Sequence, residues 1–414
     1  MSDGRAPERI LMLTDFFEPV IGGLELHVGM MSRELARRGH HVAIATLARS
    51  DRMASEQVDG VQVHRVAGWS RALAPFYADA ERPFHPTVAD PGVARALRRV
   101  ASSERPTIVQ CHSWIMHSYL PIMRRPSPKT LVYLHDYGTI CAKKTMVYGD
   151  QICDGPGLTK CIECASRHYG VVKGTALAAG LRASRARYRH VDRWVANSTA
   201  VADTTAGALG IPRPEIAVVP SFVPDGVSEA ADHLSRPGFL PAGDFILFVG
   251  ALGAHKGLNV LLEAHRHLGR DVRLVLIGTP QADTPHAFPA GVDVFENVPH
   301  RDVIAAWAHC LLGVVPSTWP EPFGQVAVEA MAAGKPVVAS NIGGLRDIVV
   351  EGETGVLVPR NDADSLRRAI ARLLDDAPLR ERLGQTGRQR AKRYTLSTVA
   401  DAIEEIHAEL RMAA

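Results

Sequence analysis

Glu321 and Glu329 lie within the run PSTWPEPFGQVAVEAMAAG, residues 316–334. The run leaves an apolar strand pattern, crosses a proline-stiffened loop and enters a helix pattern. Glu321 therefore falls in the loop and Glu329 early in the helix, so both carboxylates can look into one cleft. Backbone N–H groups around Phe323 and Gly324 come at the helix start, where they have no intrahelical acceptor and can donate to hydroxyls or anionic oxygens. A second constellation is Cys141, Cys153, Cys161 and Cys164. The Cys161-x2-Cys164 hook lets two thiolates reach one ion, and the two upstream cysteines complete a tetrahedral zinc set in an insert, residues 138–170, with little periodicity of its own. Unligated thiols, an iron–sulfur cluster or disulfides are the alternatives left open. Cys111 and Cys310 sit in apolar strand patterns and read as core. His135 and His112 each end a strand pattern, where a hydrogen-bonded buried histidine is the ordinary expectation. Arg182, Arg185, Arg187, Arg189 and Arg193 read as a solvated helix face, with contact to anionic lipid or an acidic acceptor as the alternative.

These groups need a scaffold, and the chain supplies a large one: 414 residues, 46% of them apolar, enough for two to three units at roughly 100–200 residues each. Lys plus Arg number 47 against 44 Asp plus Glu, a net charge of +3, so no overall field gathers nucleic acid. The polar start, Met1 to Arg9, runs into an apolar stretch too short for a secretory signal. Nowhere do ~18 consecutive apolar residues suggest a membrane span. A cytoplasmic location is expected, where cysteines favour thiols or metal ligands over disulfides.

Short apolar runs alternate with helical periodicity throughout. Ile10–Leu13, His41–Thr46, Ile108–Gln110, Leu131–Leu134, Arg193–Ala196 and Ile216–Val219 read as strands, with a glycine loop at Gly22-Gly23 and a helix from Leu26 to Arg38 after the first. Residues 221–243 bear proline and glycine in a polar setting and read as a linker. The alternation restarts at Phe245–Val249, Leu258–Leu268 and Val272–Ile277, and continues through Leu311–Val315, a helix Gln325–Ala333 stopped by Gly334, and Val337–Ala339. The expected fold class is α/β, with two Rossmann-like doubly wound domains, 1–220 and 244–395, facing across a cleft. A final helix, 396–414, can pack back on the first. Ligands of such sheets bind beyond the carboxyl ends of the strands.

The acidic run resembles the E-x7-E motif of retaining glycosyltransferases with the GT-B fold, in particular the large family 4. The likeness extends to Glu18-Pro19-Val20-Ile21-Gly22-Gly23, His135-Asp136, Phe248-Val249-Gly250 followed by Lys256-Gly257-Leu258, and Gly343-Gly344 with Glu353-Thr354-Gly355. It implies transfer of a sugar from a nucleoside diphosphate sugar, without an obligatory catalytic metal, to a hydroxyl or amine of a small-molecule, lipid-linked or saccharide acceptor. Lys256 would neutralise the departing diphosphate. Glu329 would hold the ribose, while Glu321 and His135 would lie near the transferred sugar. Gly22, Gly23 and Gly250, with the backbone of Phe323 and Gly324, would admit the donor closely, and backbone groups around Asn297 to His300 would read the base. One departure stands out: Ala251 follows Gly250 where the pattern often has a basic residue, leaving His255 or Arg346 as substitutes. A phosphorylase or disaccharide synthase, and a catalytically silent sugar-nucleotide-binding module, are the competing readings. A dinucleotide oxidoreductase is disfavoured, because the first loop offers Gly22 and Gly23 but no G-x-G-x-x-G.

Overall fold

Ile10, Leu11, Met12 and Leu13 are apolar at consecutive positions, the pattern of a strand covered on both faces, and each is at most 1% exposed. The computed structural model, which describes residues 6–19, 22–48, 54–76, 84–123 and 128–412, makes them the middle of a sheet. Val20 and Ile21 of the glycine loop lie outside the described residues. By internal packing the chain divides into two compact units, residues 1–219 with 400–414, and residues 220–399.

In the first unit the strands are β1 (Arg9–Thr14), β2 (His41–Leu47), β3 (Ala54–Val58), β4 (Val61–Val66), β5 (Ile108–Cys111), β6 (Lys129–Leu134), a separate hairpin of β7 (Val147–Tyr148) and β8 (Gln151–Ile152), β9 (Arg193–Ala196) and β10 (Ile216–Val218). The main sheet has the order β10-β9-β6-β5-β1-β2-β4-β3. Its neighbours are parallel, with Ile10 opposite both Val42 and Ile108, except for the antiparallel β3–β4 pair. The sequence pattern does not announce β3 because Ala54 to Gln57 are exposed, and an edge strand without a buried face lacks the apolar alternation that marks a strand. The helix Leu396–Met412 contributes its latter part to this unit. There the Gln110 amide meets His407 Nε2 at 2.5 Å, and Glu404 lies 2.8 Å from His40 Nε2.

The second unit holds β11 (Phe245–Val249), β12 (Arg273–Ile277), β13 (Val292–Phe295), β14 (Leu312–Val315), β15 (Val337–Ser340) and β16 (Gly355–Val358), all parallel in the order β13-β12-β11-β14-β15-β16. Along β11, Phe245 and Leu247 enter one hydrophobic cluster while Ile246 and Phe248 enter another. Period-two alternation into two separate cores is what a sheet wound with helices on both faces requires. The stretch read as a linker is more ordered than its composition suggests. It contains the helix Val227–His233, whose Val227 and Ala231 are buried in the second unit's core, because two apolar residues at i and i+4 suffice to anchor one short helix face.

Candidate active site

At the carboxyl ends of the second unit's strands, Lys256 and Glu321 meet. Lys256 Nζ donates to both oxygens of Glu321, at 2.7 and 2.9 Å. Oε2 also accepts from Ser317 Oγ at 2.8 Å and Trp319 Nε1 at 3.1 Å. Two glycines make this contact sterically feasible. Gly257 has φ +79, and a Cβ there would stand 1.9 Å from Pro316 O. Gly343 has φ +57, and its Cβ would stand 2.2 Å from Glu321 O. The backbones after β11, β14 and β15 thus touch where side chains could not fit. Burial alone would raise the Glu321 pKa, but the Lys256 cation and the Lys256 and Ser317 hydrogen bonds outweigh it and hold the carboxyl below its ordinary range. Burial and the Lys256 charge together push the neighbouring His255 down.

Glu329 does not join this pair. It is 5% exposed on the helix Gln325–Ala332, which starts at Gly324 with φ +110, and His300 Nε2 lies 3.1 Å from its Oε1. The hydrogen bond that His300 donates to Glu329 raises the imidazole pKa, so the charged form of His300 persists somewhat above the ordinary histidine range and is lost as pH rises through that raised value. If Glu329 holds ribose hydroxyls, Glu329→Ala should weaken nucleoside diphosphate binding about 10- to 150-fold, the size of a lost charge-assisted hydrogen bond. Unchanged affinity by titration calorimetry would remove Glu329 from the site. The Phe323 ring is buried against Tyr394 at 5.8 Å between centroids, so the side chain serves the core and only its backbone remains for a ligand. Gly250, at φ +147, receives a glycine by conformation. The substitutes expected for the cation missing at Ala251 divide: His255 lies beside Lys256, whereas Arg346 is exposed on the short helix Leu345–Ile348. A different cation reaches the acidic loop, since Arg360 Nη1 donates to Thr318 O at 3.2 Å. It follows β16, outside the motif that directed attention to residue 251.

In the first unit, His135 follows β6 and stacks on Tyr133 at 4.4 Å between centroids. His112 Nδ1 lies 2.9 Å from His135 Nε2, and the His27 ring packs edge-on against His135 at 4.7 Å. Asn197 Nδ2 donates to His135 O at 2.9 Å. Burial pushes all three imidazoles down, His112 to about 3, with the mutual proximity of the rings adding to the effect at His27 and His135. The cluster is therefore neutral at neutral pH. His27, from the helix Gly23–Arg37, is a member the sequence reading missed. Its one signal is position, a turn beyond Gly23. Asp15, also missed, is 1% exposed, and it accepts from Ser113 Oγ at 2.9 Å and Ile115 N at 2.8 Å. Gly22 is extended, and a Cβ at Gly23 would meet nothing within 4 Å, so packing within the protein does not demand glycine at Gly23.

The cysteine insert corrects the expectation of zinc. Cys141, Cys153, Cys161 and Cys164 line one shallow hollow. Among the described residues, however, no group of three or more His, Cys, Asp or Glu is arranged to hold a metal ion. The sulfurs turn to backbone partners instead. Cys153 Sγ donates to Gly155 O at 3.3 Å and Cys164 Sγ to Val147 O at 3.6 Å, while backbone N–H groups of residues 143–146 face Cys141. All four are free thiols. The arginine run is not one helix face either: Arg182 lies in the last turn of the helix Val171–Ser184, Arg185, Arg187 and Arg189 lie in a 3-10 turn, and Arg193 in β9 pairs with Glu409 at 3.3 Å. Among the described residues no helix is long and apolar enough to cross a membrane.

Parallel α/β sheets in two units, with a half-buried lysine–glutamate pair at the strand ends of the second, define the class of doubly wound proteins that take ligands beyond their strand ends. Residues 21–226 match the family model for Glycosyltransferase Family 4 and residues 236–390 that for glycosyl transferases group 1. The chain belongs to this family of glycosyltransferases. A glycogen synthase of Mycobacterium tuberculosis is 27% identical over 96% of this chain and 94% of its own length. A D-inositol 3-phosphate glycosyltransferase of Corynebacterium diphtheriae is 34% identical over 40% of this chain and 42% of its own. Among solved structures, a sucrose-phosphate synthase from Thermosynechococcus elongatus superposes with a TM-score of 0.73 at 20% identity, covering 99% of this chain and 100% of that one. The Anabaena protein HepE, solved with UDP-glucose, superposes with a TM-score of 0.63 at 18% identity, covering 97% and 99%. The fold is GT-B.

Proposed function

We propose that the chain transfers a glycosyl group, with retention of anomeric configuration, from a nucleoside diphosphate sugar to a hydroxyl or amine acceptor. The observation that carries this reading is the Lys256–Glu321 pair, its carboxylate buried and its ammonium half-buried at the strand ends. A half-exposed ammonium held by a buried carboxylate can exchange that partner for a diphosphate, and its attraction to the departing oxygens grows as the glycosidic bond breaks. Glu321, relieved of the ammonium but still held by Ser317 and Trp319, accepts hydroxyls of the transferred sugar. Glu329 with His300 takes the ribose, and the neutral His135 supplies a hydrogen-bonding nitrogen toward the sugar. Gly22 and Gly23 give the diphosphate close access to backbone, consistent with the open space around Gly23. The UDP and UDP-glucose bound to HepE favour a UDP-sugar as donor, and the unit holding His135 takes the acceptor.

The test is calorimetric titration with a panel of UDP-, GDP-, ADP- and dTDP-sugars, followed by proton NMR of the anomeric centre in the product. Micromolar binding of one member and a product with the donor's configuration are expected. Failure of every nucleotide sugar to bind would end the donor assignment, and an inverted product would end the retaining one.

A further inference from the structure

Successive residues of the acidic loop alternate between two partners. Ser317 and Trp319 donate to the Glu321 carboxylate, whereas Pro316 and Thr318 face the segment that carries Lys256. That segment is a single 3-10 turn, Ala254–Lys256. Gly257, which ends the turn, packs so closely on Pro316 O that no Cβ fits. Thr318 holds the start of the turn. Its backbone N–H donates to His255 O at 3.0 Å, and its Oγ1 lies 3.0 Å from Ala254 O and 3.2 Å from His255 O. The hydroxyl has one proton, which the two carbonyls share. The remaining polar group, Thr318 O, accepts from Arg360 Nη1. Every polar group of Thr318 is therefore engaged outside its own loop, although the residue is only half-buried.

What such a clip does follows from the groups it joins. Lys256 reaches Glu321 on a long flexible stem, and its side chain is half-buried, so packing does not fix the ammonium. The place where the stem begins is fixed by the turn. Asp283 also steadies that turn, its Oδ2 accepting from Ala254 N at 2.9 Å, but Asp283 belongs to a loop that carries neither Lys256 nor Glu321. The Thr318 hydroxyl instead refers the turn directly to the loop bearing Glu321. Placement matters because a cation aimed at charge that develops on a leaving group loses its effect steeply with displacement, a shift of about 1 Å costing as much as 10²-fold in rate.

We propose that Thr318 is a positioning residue for glycosyl transfer, its hydroxyl setting the Lys256 turn against the Glu321 loop so that the ammonium stands where the diphosphate departs. The proposal rests on the glycosyltransferase reading above and adds a residue that acts through Lys256. Steady-state kinetics and donor calorimetry on the full chain test it, comparing the unmodified protein with Thr318→Val, Thr318→Ser, Lys256→Ala and the Thr318→Val/Lys256→Ala double variant. Valine keeps the branched shape and removes the hydroxyl, and water can reach the two carbonyls at this half-buried position, so folding is spared. Thr318→Val should lower kcat about tenfold, the upper end of what one neutral hydrogen bond contributes. Its donor Kd should change by less than about threefold, because the cation acts chiefly in the transition state. Thr318→Ser, which restores the donor, should retain roughly half of kcat or more. In the Lys256→Ala background the same Thr318→Val change should cost less than about twofold, since no ammonium remains to be placed. A full tenfold loss in that background would show a structural role independent of Lys256 and overturn the proposal. So would an unchanged kcat in Thr318→Val, or a Thr318→Ser variant as impaired as Thr318→Val. Turnover of a nucleotide sugar by the unmodified protein separates the failures: where it is present these results remove only this inference, and its absence ends the glycosyltransferase reading and this inference with it.

Discussion

Lys256→Ala should lower turnover by about 10²–10³-fold, the cost of removing one donor aimed at charge that develops in the transition state. The effect on kcat should exceed the effect on donor affinity, because the diphosphate gains charge only as the bond to the sugar breaks. The variant also strands Glu321, which is 8% exposed, without its cation. Ser317 and Trp319 still donate to it, so the folding penalty should be about 1–3 kcal/mol and not the larger cost of a wholly unpaired buried charge. Ala251→Arg introduced into this variant should restore part of the turnover by returning a cation to the loop after β11. Steady-state kinetics with measured donor dissociation constants decide the matter. Equal losses in binding and turnover would reduce Lys256 to a uniform anchor.

Acid should unfold the first unit before the second. His27, His85, His112, His117 and His407 are buried in the first unit, and burial lowers every one of them, His112, His117 and His407 to about 3. The second unit has His255 lowered but His300 raised by Glu329. The sign follows from proton uptake. Below the unfolded histidine pKa of about 6.5, the unfolded chain binds protons that the native cluster refuses, so stability falls as pH falls. Each such imidazole contributes a slope of up to ~1.4 kcal/mol per pH unit. Five acting at half strength remove roughly 3 kcal/mol per unit, against a typical domain stability of about 5–15 kcal/mol. Hydrogen exchange with mass spectrometry between pH 7 and pH 3.5 should show β1, β5 and β6 losing protection while β11 and β14 keep it. Simultaneous loss, or loss in the second unit first, would contradict the assignment of a neutral buried imidazole cluster.

Much of the architecture is legible along the chain because the strands at the middle of both sheets are apolar at nearly every position, and a run such as Ile10–Leu13 or Phe245–Val249 has no other stable place in water. The acidic run could be placed for the same reason: a strand, a proline loop and a helix start are each local, and together they put Glu321 in a loop and Glu329 on a helix. What was hidden lacks a local signature. β3 is exposed along most of its length, the helix Val227–His233 needs only two buried residues, and Arg360 follows a strand far from the motif whose loop it reaches. The cysteine spacing carried too much weight, because a Cys-x2-Cys hook fixes where two sulfurs begin and not where four of them end.

By itself, the sequence determined the parallel α/β fold, the family and the residue types available for chemistry, since hydrophobic periodicity and short-range spacing act within a few residues of chain. Which of those residues meet was decided only by the tertiary structure. Lys256 and Glu321 are 65 positions apart, and His27 joins His112 and His135 from within the helix Gly23–Arg37. Glu329 turns to His300 instead of to its motif partner, and Asp136 is matched by a lysine from the cysteine insert. The order in which strands pair brings their loops together, and that order is set by packing over the whole sheet. Pairings of charge and imidazole therefore emerge only after the chain has closed on itself.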